Sequence, residues 1–168
     1  MKEEQDRRLD SSAARPFAGA GVRPDEHRDG PHEHSRIQIT AADHERLRNL
    51  IDTWPDNRDR EATEALADEL DRAEIVPAES IAGNVVTMNS RVLFEDEETG
   101  EPREVWLVYP QASDVERGRI SVLAPIGSAL LGLAVGETIG WPLPAGQLKR
   151  LRVVEVVYQP EQAGDFHL

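Results

Sequence analysis

The 168-residue chain contains no cysteine. Disulfides and thiolate-held metal are therefore excluded, and a reducing compartment is expected. Aromatic residues are scarce, at 5% of the chain, so aliphatic side chains must build the core. No apolar run approaches the ~20 residues of a membrane span. The opening residues Met1-Lys-Glu-Glu-Gln-Asp-Arg-Arg8 lack the apolar segment of a secretory signal. A soluble, cytoplasmic protein is the expectation, with no membrane partner. Basic residues are in the minority, 19 against 32 acidic ones, for a net charge of -13. Sequence-independent DNA binding needs a basic face that releases counterions, so no direct nucleic-acid contact is expected. The acidic surplus suits a partner with basic grooves, and it equally suits plain solubility. The chain also lacks a P-loop, a GxGxxG turn, an HExxH helix and a Ser/His/Asp set. No catalytic residues and no resident cofactor are expected.

Residues 1–35 are rich in Arg, Asp, Glu, Gly, Pro and His, with few aliphatic residues and no period. Such a segment cannot bury enough surface to offset the entropy of ordering, and it reads as a disordered polar tail. His27, His32 and His34 in Asp25-Glu-His-Arg-Asp-Gly-Pro-His-Glu-His34 offer the residue types of a metal tract. A histidine-containing polar tail explains them better, and no metal site is expected.

Residues 36–80 read as a short helical hairpin. Arg36-Ile-Gln-Ile-Thr40 is an apolar lead-in, and Thr40-Ala-Ala-Asp43 has the spacing of a capping box with Asp in place of Glu or Gln. A first helix over 41–52 places His44, Leu47, Leu50 and Ile51 along one stripe. Pro55 disfavours helix at Trp54, and Asp56 and Asn57 favour a turn. A second helix over 58–74 carries Ala62, Ala65, Leu66, Leu70 and Ala73 on its apolar face, and Pro77 closes it. Two helices joined by a tight turn make an antiparallel hairpin. Residues 41–80 hold 12 acidic against 5 basic residues, a net of -7; Asp68 and Glu69 among them belong to the solvated face.

From Asn84 the pattern changes to strands. Expected strands are Asn84–Met88, Arg91–Glu95, Arg103–Tyr109, Arg119–Leu123, Glu137–Leu143 and a long last one, Leu148–Tyr158, rich in Leu and Val. Asp96-Glu-Glu-Thr-Gly-Glu-Pro102 is a charged turn with Thr99-Gly100 at its tip. Pro125 suits the first turn of a helix. Ala129, Leu130, Leu131 and Leu133 seat that turn on the sheet, and Gly132 and Gly136 let the chain leave it. One helical turn within a mostly antiparallel sheet makes residues 84–168 an α+β domain.

These residues carry a resemblance. In order they are Asn84-Val-Val-Thr-Met-Asn-Ser-Arg91, Leu107-Val-Tyr-Pro110, Ile120-Ser-Val-Leu-Ala-Pro-Ile-Gly127, Ala129-Leu-Leu-Gly132, Val135-Gly-Glu137 and Pro144-Ala-Gly146. Together they resemble the C-terminal domain of the Gre transcript-cleavage factor family. The ending Tyr158-Gln-Pro-Glu-Gln-Ala-Gly-Asp165 resembles the small Rnk branch of that family, known for regulating nucleoside diphosphate kinase. The resemblance runs from about Ile39 to Leu168.

The resemblance implies an FKBP-like sheet domain preceded by a helical hairpin, or short coiled coil. It implies RNA polymerase as partner, with the sheet domain docked at the rim of the secondary channel and the hairpin entering it. In Gre factors a pair of acidic residues at the tip holds Mg²⁺, which activates water to cleave backtracked RNA. Here the arms span roughly 18 to 25 Å at 1.5 Å per residue, which is short for the family. The tip Thr53-Trp-Pro-Asp-Asn-Arg58 also lacks the close acidic pair. The expected function is therefore a monomeric, non-catalytic polymerase modulator that competes with Gre factors, associates with DNA only through polymerase, and changes nucleoside diphosphate kinase levels indirectly. Expected partner contacts are Asp52, Trp54, Asp56, Arg58 and Asp59 at the tip. In the sheet domain they are Ser121, Leu123 and Pro125.

Trp54 fits equally a hydrophobic staple that folds the tip down. Leu123 and Ala124 stand where Gre members tend to carry polar residues, and Leu123 fits equally a core position. Two other functions remain open: transcript cleavage despite the short hairpin, and FKBP-type prolyl isomerisation. The latter needs an aromatic-lined pocket. Strand alternation should scatter Phe94, Trp106, Tyr109, Trp141 and Tyr158, with core packing accounting for each. His44 and His167 are expected to be an ordinary helix-face residue and a terminal one.

Overall fold

In the computed structural model the described residues are 36–55, 59–142 and 148–167. The tail of residues 1–35, with His27, His32 and His34, lies outside them, as do Asp56, Asn57, Arg58 and the Pro144-Ala-Gly146 turn. The chain enters through β1 (Gln38–Thr40) and passes into α1 (Ala41–Thr53). Thr40 is the N-cap, and its Oγ1 accepts from the Asp43 N–H at 3.1 Å. The sequence pattern promised this half of the capping box. The other half is missing, because the Asp43 carboxylate turns inward. Helix α2 (Arg60–Arg72) follows, then β2 (Glu74–Val76).

Strands β1 and β2 pair in parallel, Gln38 opposite Glu74 and Thr40 opposite Val76. Parallel strands need a long crossover, and here the helical hairpin is that crossover. The lead-in was expected to be apolar but not to be a strand, since its partner lies 36 residues on. Each helix has 13 residues, about 20 Å of length. Leu47, Leu50, Leu66 and Leu70 are buried, in one core with Val86, Met88, Val92, Phe94, Leu107 and Val122 of the sheet. Ala65, expected on the apolar face, is exposed. The inward stripe of α2 runs Ala62–Leu66–Leu70, and Ala65 is turned about 100° from Leu66.

Five strands form the main sheet: β3 (Arg91–Asp96), β4 (Pro102–Val108), β5 (Arg119–Ser121), β6 (Thr138–Pro142) and β7 (Leu148–Tyr158). Their order is β5-β4-β3-β7-β6. All neighbours are antiparallel except β4 and β5. The central pair β3–β7 carries two register shifts, which curve a sheet. The charged turn between β3 and β4 forms as expected. Gly100 adopts φ 68 and its N–H donates to the Asp96 carbonyl at 2.7 Å.

Two expected strands change. Residues 84–88 are mostly buried but irregular. Their backbone partners are in the turn after helix α3 (Pro125–Leu130) rather than in the sheet: the Val86 N–H donates to the Leu133 carbonyl at 2.8 Å, and the Gly132 N–H donates to the Val86 carbonyl at 2.8 Å. Strand β5 stops at Ser121 because the Leu123 N–H folds back onto Ser121 Oγ (3.1 Å) and the Ala124 N–H onto the Ser121 carbonyl (2.9 Å). A short helix, α4 (Pro160–Ala163), ends the chain. It was not anticipated, although Pro160 at its start and Gly164 after it are ordinary helix signals.

Helix α3 lies tightly on β5. A Cβ at Gly127 would stand 2.0 Å from the Ser121 carbonyl oxygen, and backbone cannot yield as a flexible side chain would. Gly127→Ala should therefore destabilise the protein by about 1–3 kcal/mol, measured as a drop in the urea midpoint without a change of slope.

Candidate functional site

The hairpin tip is the first candidate. Asp52 is exposed at the end of α1, and Asp59 is exposed at the start of α2. Asp59 sits in the left-handed region at φ 64 and caps α2 through its carbonyl, which accepts from the Thr63 N–H at 2.9 Å. Trp54 is half-buried against the core, and its indole N–H has no hydrogen-bond partner among the described residues. Asp56 and Arg58 lie outside the described residues.

The turn after β5 is the second. Pro125 is exposed and Ser121 half-buried. Leu123 is only 5% exposed and belongs to the core. Its side chain has no face left for a partner, so this turn offers Pro125 and the rim of Ser121 without Leu123. The apolar side chain at this position thus serves packing.

The third was not foreseen. Asp43, in the first turn of α1, is 4% exposed. Its Oδ2 accepts from the Met88 N–H at 3.3 Å and its Oδ1 from the Tyr109 hydroxyl at 3.2 Å. One carboxylate thereby ties the hairpin to the buried 84–90 segment and to the residue after β4. Glu161 of α4 stands nearby, its Oε2 accepting from Thr87 Oγ1 at 2.7 Å. Burial, then the negative charge of Glu161, push the Asp43 carboxyl up to about 6. The hydrogen bonds and Arg46 oppose this without reversing it. The Tyr109 hydroxyl is also pushed up, by burial and by Asp43. The sequence offered one signal: an acid at the third position of α1, four residues before the buried Leu47 and so on the same face. Its partners are 45 and 66 residues away, and no local pattern shows them.

The aromatic side chains are not scattered throughout. Phe94 is in the core and Tyr109 is on Asp43. Trp106 and Tyr158, however, stand together, centroids 5.5 Å apart. The register explains this. Trp106 of β4 lies opposite Arg91 of β3, and Arg91 lies opposite Tyr158 of β7. Residues directly opposite share a face, so alternation gathers these three on the side away from Val105 and Leu107. Only the backbone of Trp141 is described. His44 is half-buried and His167 exposed. Among the described residues no group of three His, Asp or Glu side chains is placed to hold a metal ion, and no helix is long and apolar enough to cross a membrane.

A two-helix hairpin sharing its core with a curved sheet places the chain in a class of helical-hairpin and sheet factors. Comparison with known proteins gives the particular family. Residues 81–158 match the family model described as "Transcription elongation factor, GreA/GreB, C-term", and residues 36–76 match "Rnk N-terminus". The "Regulator of nucleoside diphosphate kinase" of Escherichia coli K12 is 45% identical over 132 residues, 79% of this chain and 96% of that one. A "Transcription elongation factor GreA" of Beijerinckia indica is 33% identical over 94 residues, 56% of this chain and 59% of its own length. Among solved structures, "Prokaryotic transcription elongation factor GreA/GreB from Nitrosomonas europaea" is 46% identical, with a TM-score of 0.63 over 74% of this chain and 99% of that one. The chain belongs to the Rnk family of GreA/GreB-related factors.

The raised carboxyl sets a pH dependence. An unfolded Asp43 returns to the ordinary value of 3.8, while the folded one lies near 6. The favourable contribution is therefore complete below pH 3.8 and lost as pH rises through 6. Above that, the ionised carboxylate costs stability. Asp43→Asn removes this titration, so its stability relative to the parent should improve by up to about 3 kcal/mol between pH 4 and pH 7. Urea unfolding of both proteins at the two pH values measures it. A constant difference would mean that Asp43 does not titrate in this window.

Proposed function

We propose that this protein is a non-catalytic modulator of transcription that binds RNA polymerase and competes with Gre factors for the secondary channel. The single observation that supports the reading most is the order of its two family matches. An Rnk-type N-terminus over 36–76 replaces the remainder of a Gre factor, while a GreA/GreB C-terminal part over 81–158 is kept. The sheet half is the part that would dock, through Pro125 and the Ser121 turn. The hairpin half would occupy the channel entrance with Asp52, Trp54, Asp56, Arg58 and Asp59.

Hairpin length supports occupancy without cleavage. Thirteen-residue arms reach about 20 Å at most, and the leucines of both arms are committed to the core. Metal-assisted hydrolysis needs carboxylates converging on the reacting atoms; Asp52 and Asp59 at the tip are not joined by a close acidic pair of the Gre kind. An effect on nucleoside diphosphate kinase, the activity in the printed name of the Escherichia coli relative, would then pass through transcription.

Deleting the hairpin is a poor test, since it would strip Leu47, Leu50, Leu66 and Leu70 from the core. Exposed positions serve better. The full chain should be retained by core RNA polymerase, and Asp52→Lys and Pro125→Glu should each weaken retention by at least about tenfold, as loss of an interface anchor does. Added to backtracked elongation complexes, the protein should leave Mg²⁺-dependent RNA shortening at its basal rate and slow the shortening that a Gre factor stimulates. Faster shortening by the protein alone would establish cleavage instead, and absence of any polymerase binding would refute the reading.

A further inference from the structure

The outer face of the sheet holds a recess of about 240 Å³ lined by Asn89, Trp106, Val108, Ala112, Arg119 and Tyr158. Its walls are fixed in advance. The Tyr158 hydroxyl donates to Asp165 at 2.5 Å, which holds the ring in place. Trp106 carries the Arg91 guanidinium 5.9 Å from its ring centroid, and Arg91 is itself tied to Glu104 through Nε at 2.6 Å. The two aromatic planes are tilted 49° from each other, so the rings form an open wedge rather than a closed stack. Rigid aromatic walls of this kind bind at little entropic cost.

Charge distinguishes the recess from the rest of the domain. On the sheet half, Arg91, Arg103, Arg117, Lys149, Arg150 and Arg152 each meet a carboxylate. Arg119 meets none among the described residues, and it is exposed at the recess. Its backbone is held, its N–H donating to the Asp114 carbonyl at 2.8 Å and its carbonyl accepting from the Asp114 N–H at 3.0 Å. Asp114 spends its own carboxylate on Arg117. In a chain with 32 acidic and 19 basic residues, an exposed arginine without a carboxylate partner among the described residues, beside an aromatic wedge, calls for an anionic occupant.

Size narrows the occupant. Sites for whole small molecules are commonly about 300–1,000 Å³, so this recess suits one anchoring side chain. We propose that it is a protein-interaction site that takes an apolar side chain into the Trp106–Tyr158 wedge while a neighbouring carboxylate of the same partner segment pairs with Arg119. Single-stranded nucleic acid is the less fitting occupant. Strong binding of that kind needs several cations tracking the backbone, whereas the recess offers one, on a chain of net charge -13.

The test uses the ¹⁵N-labelled full chain and a blocked hexapeptide with one phenylalanine flanked by aspartates. The indole N–H signal of Trp106 should move saturably, while that of Trp54 stays. Replacing the aspartates by asparagines, or Arg119→Gln in the protein, should weaken binding by at least about tenfold. Thermal unfolding of R119Q should match the parent, since Arg119 is exposed. No saturable movement of the Trp106 signal at millimolar peptide would overturn the proposal. So would equal affinity for the neutral peptide, or binding of a short oligothymidylate in the peptide's place. No polymerase enters the experiment, so its outcome stands apart from the docking reading.

Discussion

Everything in this protein rests on one shared apolar core. Leu47 and Leu50 from the first helix, and Leu66 and Leu70 from the second, are buried with Val92, Phe94, Leu107 and Val153 from the sheet. Burying aliphatic side chains of this size contributes about 1.5–3 kcal/mol each relative to exposure. The hairpin is therefore a structural part of the domain, packed onto the core as far as Leu50, Ile51 and Trp54. That constraint limits how far it can reach from the sheet.

The core has a polar seam, and the seam is where the parts are aligned. Thr40 starts the first helix, Asp43 bonds the Met88 N–H and the Tyr109 hydroxyl, and Gln159 donates from Nε2 to the carbonyls of Ala82 and Val85 at 2.9 and 2.7 Å. Segment 82–90 is irregular, so its backbone groups need such partners. Apolar packing alone would tolerate small slips of helix against sheet. A buried carboxylate with two specific donors does not, at the cost of a carboxyl that resists ionisation.

Electrostatics on the surface follow a different rule. The acidic excess is partly neutralised by cross-strand pairs such as Glu95–Arg152 and Asp96–Lys149. The more exposed of these pairs contribute little each, but together the pairs occupy nearly every cation of the sheet half. Arg119 stands out against that background, beside aromatic rings whose approach depends on strand register.

Much of the architecture was legible in the sequence because its signals are local. The 3.6-residue stripe of Leu47 and Leu50, the Thr40 cap, the Thr99-Gly100 turn, the proline opening the third helix and the apolar last strand each depend on neighbours within a few positions. The motif order from Asn84 to Asp165 was enough to indicate the family. Other features were decided only when distant segments met. The pairing of Gln38–Thr40 with Glu74–Val76, the burial of Leu123, the irregular course of 84–88, the inward turn of Asp43 and the meeting of Trp106 with Tyr158 all depend on partners far along the chain. The residue types at these positions suit more than one role, and a single sequence carries no term for which distant segment will supply the neighbour. Sequence alone thus determined the helical hairpin, most strands of the main sheet and the family. Tertiary structure decided which polar and aromatic side chains are spent on packing and which are left at the surface.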